Sequence, residues 1–136
     1  MDDIAFILSK QLLDILLINE SKLDNNDDDS LFNNDNYMMF RRDRTASGGG
    51  IVLYIKKNLR IDSIDIHESF EIISLIVTLG DNQKQGIIAS YRSNAISSVE
   101  SFINKLECLT LSLMNICDGL IIMGDLNINM LVNNKF

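Results

Sequence analysis

Two short, unbroken apolar runs constrain the fold of this chain more than any other feature. One run occupies residues 14–19 and is followed by Glu20, and the other occupies residues 119–123 and is followed by Gly124 and Asp125. Runs that are this short and apolar throughout their interior are typical of strands covered on both faces, as central strands of an α/β sheet are. We therefore expect two buried strands, each delivering a carboxylate at its carboxyl end.

The residues that follow the second run carry the strongest chemical signal. Gly124 lets the backbone turn sharply, and Asp125 and Asn127 come next, two positions apart. Side chains at i and i+2 of an extended segment point the same way, so we expect both to address one ligand. Ligands bind at the carboxyl ends of strands in open α/β sheets, and we expect Glu20 at the same rim of a common sheet.

The remaining pattern predicts two helices and two hairpins. Apolar periodicity and turn residues predict a helix over 3–12, a hairpin of strands 37–42 and 51–55, a second hairpin of strands 72–79 and 86–91, and a helix over 98–117. Ser97 and Glu100 form a candidate capping box at the start of the second helix. The most economical arrangement of these elements is a layered α/β sandwich with mixed sheets.

Composition limits the class of protein. The chain has 136 residues, of which 46% are hydrophobic, enough for one globular domain with a core. Its net charge of −7 argues against binding nucleic acid through bulk positive charge. A nuclease that holds phosphate locally, through a metal and a few donors, stays possible. The basic groups at 41–44 and 56–60 suit solvated strand ends at least as well as a phosphate-contacting edge.

The cysteines and the first residues of the chain indicate where in the cell the protein acts. Cys108 and Cys117 are nine positions apart on the predicted helix, on opposite faces, so we expect no disulfide between them. No apolar run is long enough to cross a bilayer, and the acidic start argues against a secretory signal. We expect an intracellular protein without a membrane partner.

Four sequence motifs, which occur in a fixed order, resemble those of a known family. They are an apolar strand ending in Glu20 (14–23), an Arg-Asp-Arg segment followed by Gly-Gly-Gly (42–51) and Tyr54-Ile55, a Ser-Tyr-Arg-Ser-Asn segment (90–94), and Gly-Asp-Leu-Asn (124–127). The set resembles the endonuclease/exonuclease/phosphatase superfamily, most of all the apurinic-type endonuclease domain of non-LTR (LINE-like) retrotransposons. The resemblance covers essentially the whole chain, and it implies a partial four-layer αββα sandwich, an α/β (α+β) fold.

The resemblance also implies residue roles in phosphodiester hydrolysis. Glu20 would hold a divalent metal, Mg²⁺ or Mn²⁺, which suits a carboxylate oxygen. Asp125 would orient or deprotonate the attacking water, and Asn127 would hydrogen-bond a phosphate oxygen. Tyr91 would contact the scissile phosphate. A metal and polar side chains together supply the positioned water and the charge relief that this reaction needs.

Three further residues would contact the substrate. By the same resemblance these are Lys22, Arg92 and Asn94. The expected substrate is DNA, the expected partner is the reverse transcriptase domain of a parent element, and a functional enzyme would act in the nucleus. The sequence gives no indication of a homo-oligomeric state.

The chain also departs from the family pattern. The family's first strand, with its metal-site asparagine, should precede Ile4, and its last strands, with an Asp-His pair, should follow Phe136. His67 is the one histidine and lies between the hairpins, where we expect a satisfied polar residue without catalytic function. The usual prolines after Tyr91-Arg92 are replaced. We therefore expect residues 1–136 to be one incomplete domain, truncated at both ends and impaired as an enzyme.

Three alternatives stay open at this point. The chain could be a non-catalytic remnant of a retrotransposon reading frame. It could belong to another phosphodiesterase or phosphatase branch of the superfamily, although the Arg-Asp-Arg and Gly-Gly-Gly hairpin argues against that branch. It could also be an unrelated α/β binding module.

Overall fold

The computed structural model describes residues 2–129, which form two helices, seven strands and a short 3₁₀ helix at Asp29–Leu31. In chain order the helices and strands are α1 (Asp2–Ser9), β1 (Ile15–Asn19), β2 (Tyr37–Arg42), β3 (Ile51–Lys56), β4 (Arg60–Ile66), β5 (Glu71–Thr78), β6 (Lys84–Tyr91), α2 (Val99–Met114) and β7 (Gly119–Asp125).

The strands form two sheets. The first has the order β1-β3-β2 and is antiparallel throughout. The second has the order β4-β5-β6-β7, and in it only β6 and β7 run parallel. A parallel pair needs a crossover connection, and α2 supplies it between β6 and β7. Both predicted hairpins, β2–β3 and β5–β6, are confirmed.

Three groups of buried side chains show how the layers stack. Between the two sheets lie side chains of β3, β5 and β6, among them Ile51, Leu53, Leu75 and Ile87. Residues of α1 pack on the outer face of the first sheet, and Phe102, Leu106 and Leu113 of α2 pack on the outer face of the second sheet. The order of layers is therefore helix, sheet, sheet, helix, which confirms the predicted αββα sandwich.

The two apolar runs that predicted central strands instead form sheet edges within the described residues. β1 is half-buried along its length and pairs only with β3. β7 pairs only with β6, and Ile121 and Ile122 are each close to half exposed. The prediction that both strands are covered on both faces is wrong, because an apolar run reports the character of the side chains and not the number of neighbouring strands.

The strand β4 was not predicted from the sequence. Its residues alternate poorly, and a register shift between Ile61 and Ser63 breaks the two-residue period where it pairs with β5. Almost every residue of β4 is exposed. An exposed edge strand with a bulge presents neither the apolar run nor the strict alternation from which strands are predicted.

The helices are shorter than predicted. α1 ends at Ser9 and α2 at Met114, so Cys117 lies beyond the helix and the opposite-face argument for the cysteines is wrong. Both cysteines are free thiols. Ser98, and not Ser97, caps α2, since its hydroxyl accepts from the backbone N–H of Ser101 at 3.1 Å. No helix within residues 2–129 combines the length and the apolar character needed to cross a membrane.

Candidate active site

The register of the second sheet aligns three side chains at one end of the sandwich. Tyr91 is the Cα partner of Glu71 on β5 and of Asp125 on β7. Directly paired residues lie side by side across neighbouring strands. The row Glu71–Tyr91–Asp125 therefore crosses the sheet where β6 and β7 end, as the carboxyl-end prediction required for Asp125.

Tyr91 also connects the two sheets. Its hydroxyl donates a hydrogen bond to Oε1 of Glu20, which directly follows β1 of the first sheet. Tyr91 is buried, at 4% exposure, while Glu20 and Asp125 are exposed to solvent. The two acidic residues thus lie at the same end of the molecule. They belong to facing sheets, however, so the expectation of one common sheet is wrong.

The environment of Tyr91 keeps its hydroxyl protonated. The hydrogen bond to Glu20, and then burial, raise the pKa of Tyr91 above its usual value. The amide of Asn127 and the charge of Arg44 act in the opposite direction. A tyrosine whose pKa is raised in this way is a hydrogen-bond donor at neutral pH and not a base.

Asp125 and Asn127 meet through a turn and not through an extended strand. The backbone N–H of Asn127 donates to Oδ1 of Asp125 at 2.9 Å, and Asn127 has a positive φ of 48°. The i, i+2 argument for an extended segment is therefore wrong in its geometry. Nδ2 of Asn127 donates to the carbonyl of Arg92 at 2.8 Å, which fixes the amide at the end of β6, close to Tyr91.

Gly124 is required by the close approach of β7 to β6. Its φ is +140°, and a Cβ at this position would lie 1.7 Å from the carbonyl oxygen of Ser90. Only glycine has neither the steric restriction on φ nor the atom that would collide. The glycine thus lets Asp125 reach its place beside Tyr91.

Arg92 binds the segment that follows β7. It is buried at 3% exposure, and its guanidinium donates to the carbonyls of Leu126 at 2.7 Å, Ser97 at 3.0 Å and Asn127 at 2.6 Å. It also donates to Oδ1 of Asn94. Four of the five N–H groups of a guanidinium are therefore used inside the protein. These contacts describe a support for the site, and direct contact of Arg92 with a substrate stays a prediction.

A glycine turn supports the segment that carries Glu20. The backbone N–H of Ser21 donates to Gly50 O at 3.2 Å and that of Lys22 to Gly49 O at 2.9 Å. The N–H of Gly50 in turn donates to the buried carboxylate of Glu71. Lys22 is exposed, as is Asn94. The structure thus brings the predicted residues to one end of the sandwich.

Glu71 contacts this site, although no role was predicted for it from the sequence. The available signal was an acidic residue placed directly before the apolar run that forms β5. That position alone does not separate a buried carboxylate from a solvated strand end. The partner that makes the difference, the N–H of Gly50, is 21 positions away in the chain.

The oxygen atoms around Glu20 are of the kind that binds a hard cation, but few side chains contribute them. No group of three or more His, Cys, Asp or Glu side chains within residues 2–129 is placed to hold a metal. Oε2 of Glu20 accepts no hydrogen bond from those residues, and the buried Oδ1 of the neighbouring Asn19 also has no partner among them. Oxygen ligands suit Mg²⁺, which is often bound by one or two carboxylates plus substrate phosphate.

His67 lies outside this arrangement. It is buried at 9% exposure, and its Nε2 lies 3.0 Å from the hydroxyl of Ser74. Burial lowers the pKa of His67, although Asp65 nearby acts in the opposite direction. The expectation of a satisfied polar residue is confirmed.

Comparison with known proteins supports the fold. No protein-family model matches the chain, and no curated protein matches it. Among solved structures, the crystal structure of truncated Caenorhabditis elegans TDP2 is similar, with a TM-score of 0.63 and 16% sequence identity over 93% of this chain and 54% of that chain. This chain thus spans about half the length of its structural neighbour. At this low identity the likeness shows the fold alone: the chain shares its sandwich of helices and two sheets with that structure.

Proposed function

We propose that this chain is a metal-dependent phosphodiester hydrolase domain that acts on DNA. One observation supports this proposal above the others: the hydroxyl of Tyr91 contacts Glu20 of one sheet while Tyr91 pairs with Asp125 of the other. Two carboxylates from distant parts of the chain, a phenol and an amide therefore surround one end of the sandwich. This is the set of groups that positions water and neutralises charge on a phosphodiester.

Each residue of the site has a different role in the reaction. Asp125, one oxygen of which accepts from Asn127 N–H, orients the attacking water and takes its proton as the new P–O bond forms. The amide of Asn127 donates to a non-bridging phosphate oxygen, and Tyr91, whose hydroxyl proton is held by Glu20, contacts the scissile phosphate. The bond to the leaving sugar oxygen then breaks, and that oxygen takes a proton from water. An open depression of about 660 Å³ is lined by residues 124–129, which include Asp125 and Asn127.

Glu20 is the residue that would hold the metal ion. Its free Oε2 is the available oxygen, and substrate phosphate and water would complete the ligands. When bound, Mg²⁺ or Mn²⁺ would relieve negative charge on the phosphate. Tyr91 orients the carboxylate through its hydrogen bond to Oε1.

The retroelement type is the specific form of this proposal. It rests on the hairpin with Arg42-Asp43-Arg44 and the three glycines at 48–50, which resembles that of non-LTR retrotransposon endonucleases. We propose in the same way that residues 1–136 belong to one such domain, with a reverse transcriptase domain as partner and the nucleus as place of action. We expect slow turnover, because the one histidine of the chain is buried against Ser74 and is not available as a proton donor.

Plasmid nicking tests the hydrolase proposal. We expect the unchanged chain to convert supercoiled DNA slowly to the open-circular form with Mg²⁺ or Mn²⁺ and not with EDTA. Asp125→Asn and Glu20→Gln should each lower the rate at least ~100-fold, the usual effect of removing a group that acts in the transition state. Asp81→Asn is the matched control, since Asp81 lies in the β5–β6 turn at the opposite end of β6 and asparagine can keep its contact to Gln83 N–H.

Two results would contradict the proposal in different ways. Nicking that survives Asp125→Asn would refute the role of that residue. No nicking by the unchanged chain with either metal would favour the second candidate, a non-catalytic remnant of the same fold. The small donor set around Glu20 is the observation that favours that candidate.

A further inference from the structure

An acidic protein that acts on DNA needs a positive group at its site. The net charge is −7, so the attraction to phosphate has to be local. Several arginines lie near the site, but most are committed to protein acceptors. Arg41 forms ion pairs with Asp29 and Asp43. Arg42 donates through all three of its guanidinium nitrogens to backbone carbonyls, and Arg92 is buried as described above.

Arg44 differs from these arginines in having free donors. Its Nε donates to Gly48 O at 2.8 Å and lies 3.8 Å from Oε1 of Glu71. Its terminal nitrogens, Nη1 and Nη2, donate no hydrogen bond to residues 2–129, and its side chain is 23% exposed. The stem of the guanidinium is therefore held in place while its outer edge stays available to a ligand.

The position of Arg44 places this edge at the site. Its partner Glu71 is the register partner of Tyr91, and the guanidinium lies over Gly49, where a Cβ would be 2.1 Å from Nε. Gly49 and Gly50 are also the residues that accept from Lys22 and Ser21, beside Glu20. In agreement with this position, the charge of Arg44 acts against the rise in the pKa of Tyr91 that Glu20 and burial cause.

We propose that Arg44 binds a phosphate group of the nucleic-acid substrate through Nη1 and Nη2, and that Glu71 and the 48–50 turn position it. This inference rests on the proposed function for the class of substrate. A guanidinium offers parallel N–H groups that match two phosphate oxygens. Holding Nε in advance limits the side-chain freedom that is lost on binding. Arg44 would thus be a substrate contact in addition to those predicted from the sequence.

DNA binding as a function of salt tests the role of Arg44. The probe is a fluorescein-labelled DNA oligonucleotide, measured by anisotropy in EDTA between 50 and 200 mM salt so that no hydrolysis occurs. One phosphate contact contributes about 0.9 to the slope of log K against log salt, so Arg44→Gln should weaken binding about eightfold at about 0.1 M salt and reduce the slope by about 0.9. Arg44→Lys should keep the slope.

Arg60→Gln is the matched control. It removes the same charge from an exposed arginine that pairs with Asp62 on β4 at 3.0 Å, so we expect the slope to stay unchanged. Circular dichroism verifies that each variant is folded. If Arg44→Gln does not fold, the side-chain Nε resonance that is lost in Arg44→Lys identifies Arg44 in the spectrum of the unchanged chain. That resonance should shift on addition of the oligonucleotide.

Equal slopes for Arg44→Gln and Arg60→Gln would overturn the assignment, as would an Arg44 resonance that does not move. Absence of binding by the unchanged chain would also overturn it. The nicking assay decides the hydrolase proposal separately, because it compares Asp125 and Glu20 variants and does not involve Arg44. A chain that nicks DNA but shows no slope change with Arg44→Gln would keep the first proposal and lose the second.

Discussion

Replacement of Arg92 should release the segment that carries Asp125 and Asn127. The guanidinium satisfies four acceptors, the carbonyls of Ser97, Leu126 and Asn127 and the side chain of Asn94. Arg92→Met keeps the length and apolar stem of the side chain but leaves these acceptors unpaired. At about 1 kcal/mol for each acceptor left unmet, the loss of folding free energy is about 4 kcal/mol, and rehydration of the exposed ones reduces it to about 3 kcal/mol.

Urea unfolding followed by circular dichroism measures this loss. Arg92→Lys keeps the charge but has one ammonium nitrogen in place of the three guanidinium nitrogens. We therefore expect an intermediate loss of folding free energy of about 1–2 kcal/mol. Arg60→Met is the control, because Arg60 is exposed and its ion pair lies at the surface, where such pairs contribute about 0–1 kcal/mol.

Urea unfolding distinguishes a structural role of Arg92 from direct contact with a substrate. If Arg92→Met unfolds at the same urea concentration as Arg60→Met, the four hydrogen bonds do not stabilise the fold, and the assignment of Arg92 as a support is wrong. In that case a loss of DNA binding without a loss of stability would restore its predicted role as a substrate contact.

Two further changes test the surroundings of the site. Gly124→Ala should destabilise the fold by about 3 kcal/mol or more, because φ is +140° and the new Cβ would meet Ser90 O; a melting temperature unchanged from that of Gly80→Ala, where the space is open, would contradict this. Burial lowers the pKa of His67 below 6.5, so the unfolded chain binds the proton first and stability should fall as pH decreases below 6.5. His67→Gln should flatten that part of the stability curve, and an equal slope in both proteins would show that other groups cause it.

The sequence predicted the fold because the core elements carry strong local patterns. The strands β3, β5 and β6 contribute mostly apolar side chains to the core, and the stripe Phe102–Leu106–Leu113 lies on one face of α2. The αββα order of layers followed from these patterns and the resemblance. The bulged edge strand β4 and the exact helix ends were missed, since exposed residues at element ends carry little hydrophobic signal.

The candidate site was predicted only in part. Glu20, Tyr91, Asp125 and Asn127 were identified from strand ends and from the ordered motifs, and the structure brings them to one end of the sandwich. Glu71 had no such signal. Its carboxylate binds the backbone of a turn that is distant in sequence. A contact to a backbone group cannot be predicted from the residue type of the partner.

By itself, the sequence determined which segments are apolar enough to form the layers and which polar residues end those segments, because burial selects residue types one position at a time. Only the tertiary structure decided that the two acidic strand ends lie on facing sheets and that Tyr91 connects them. It also decided that the guanidinium of Arg92 donates its hydrogen bonds to protein acceptors, while the outer nitrogens of Arg44 stay free. An arginine has the same donors in either role, and the acceptors that the fold brings within reach determine whether those donors face the protein or a ligand.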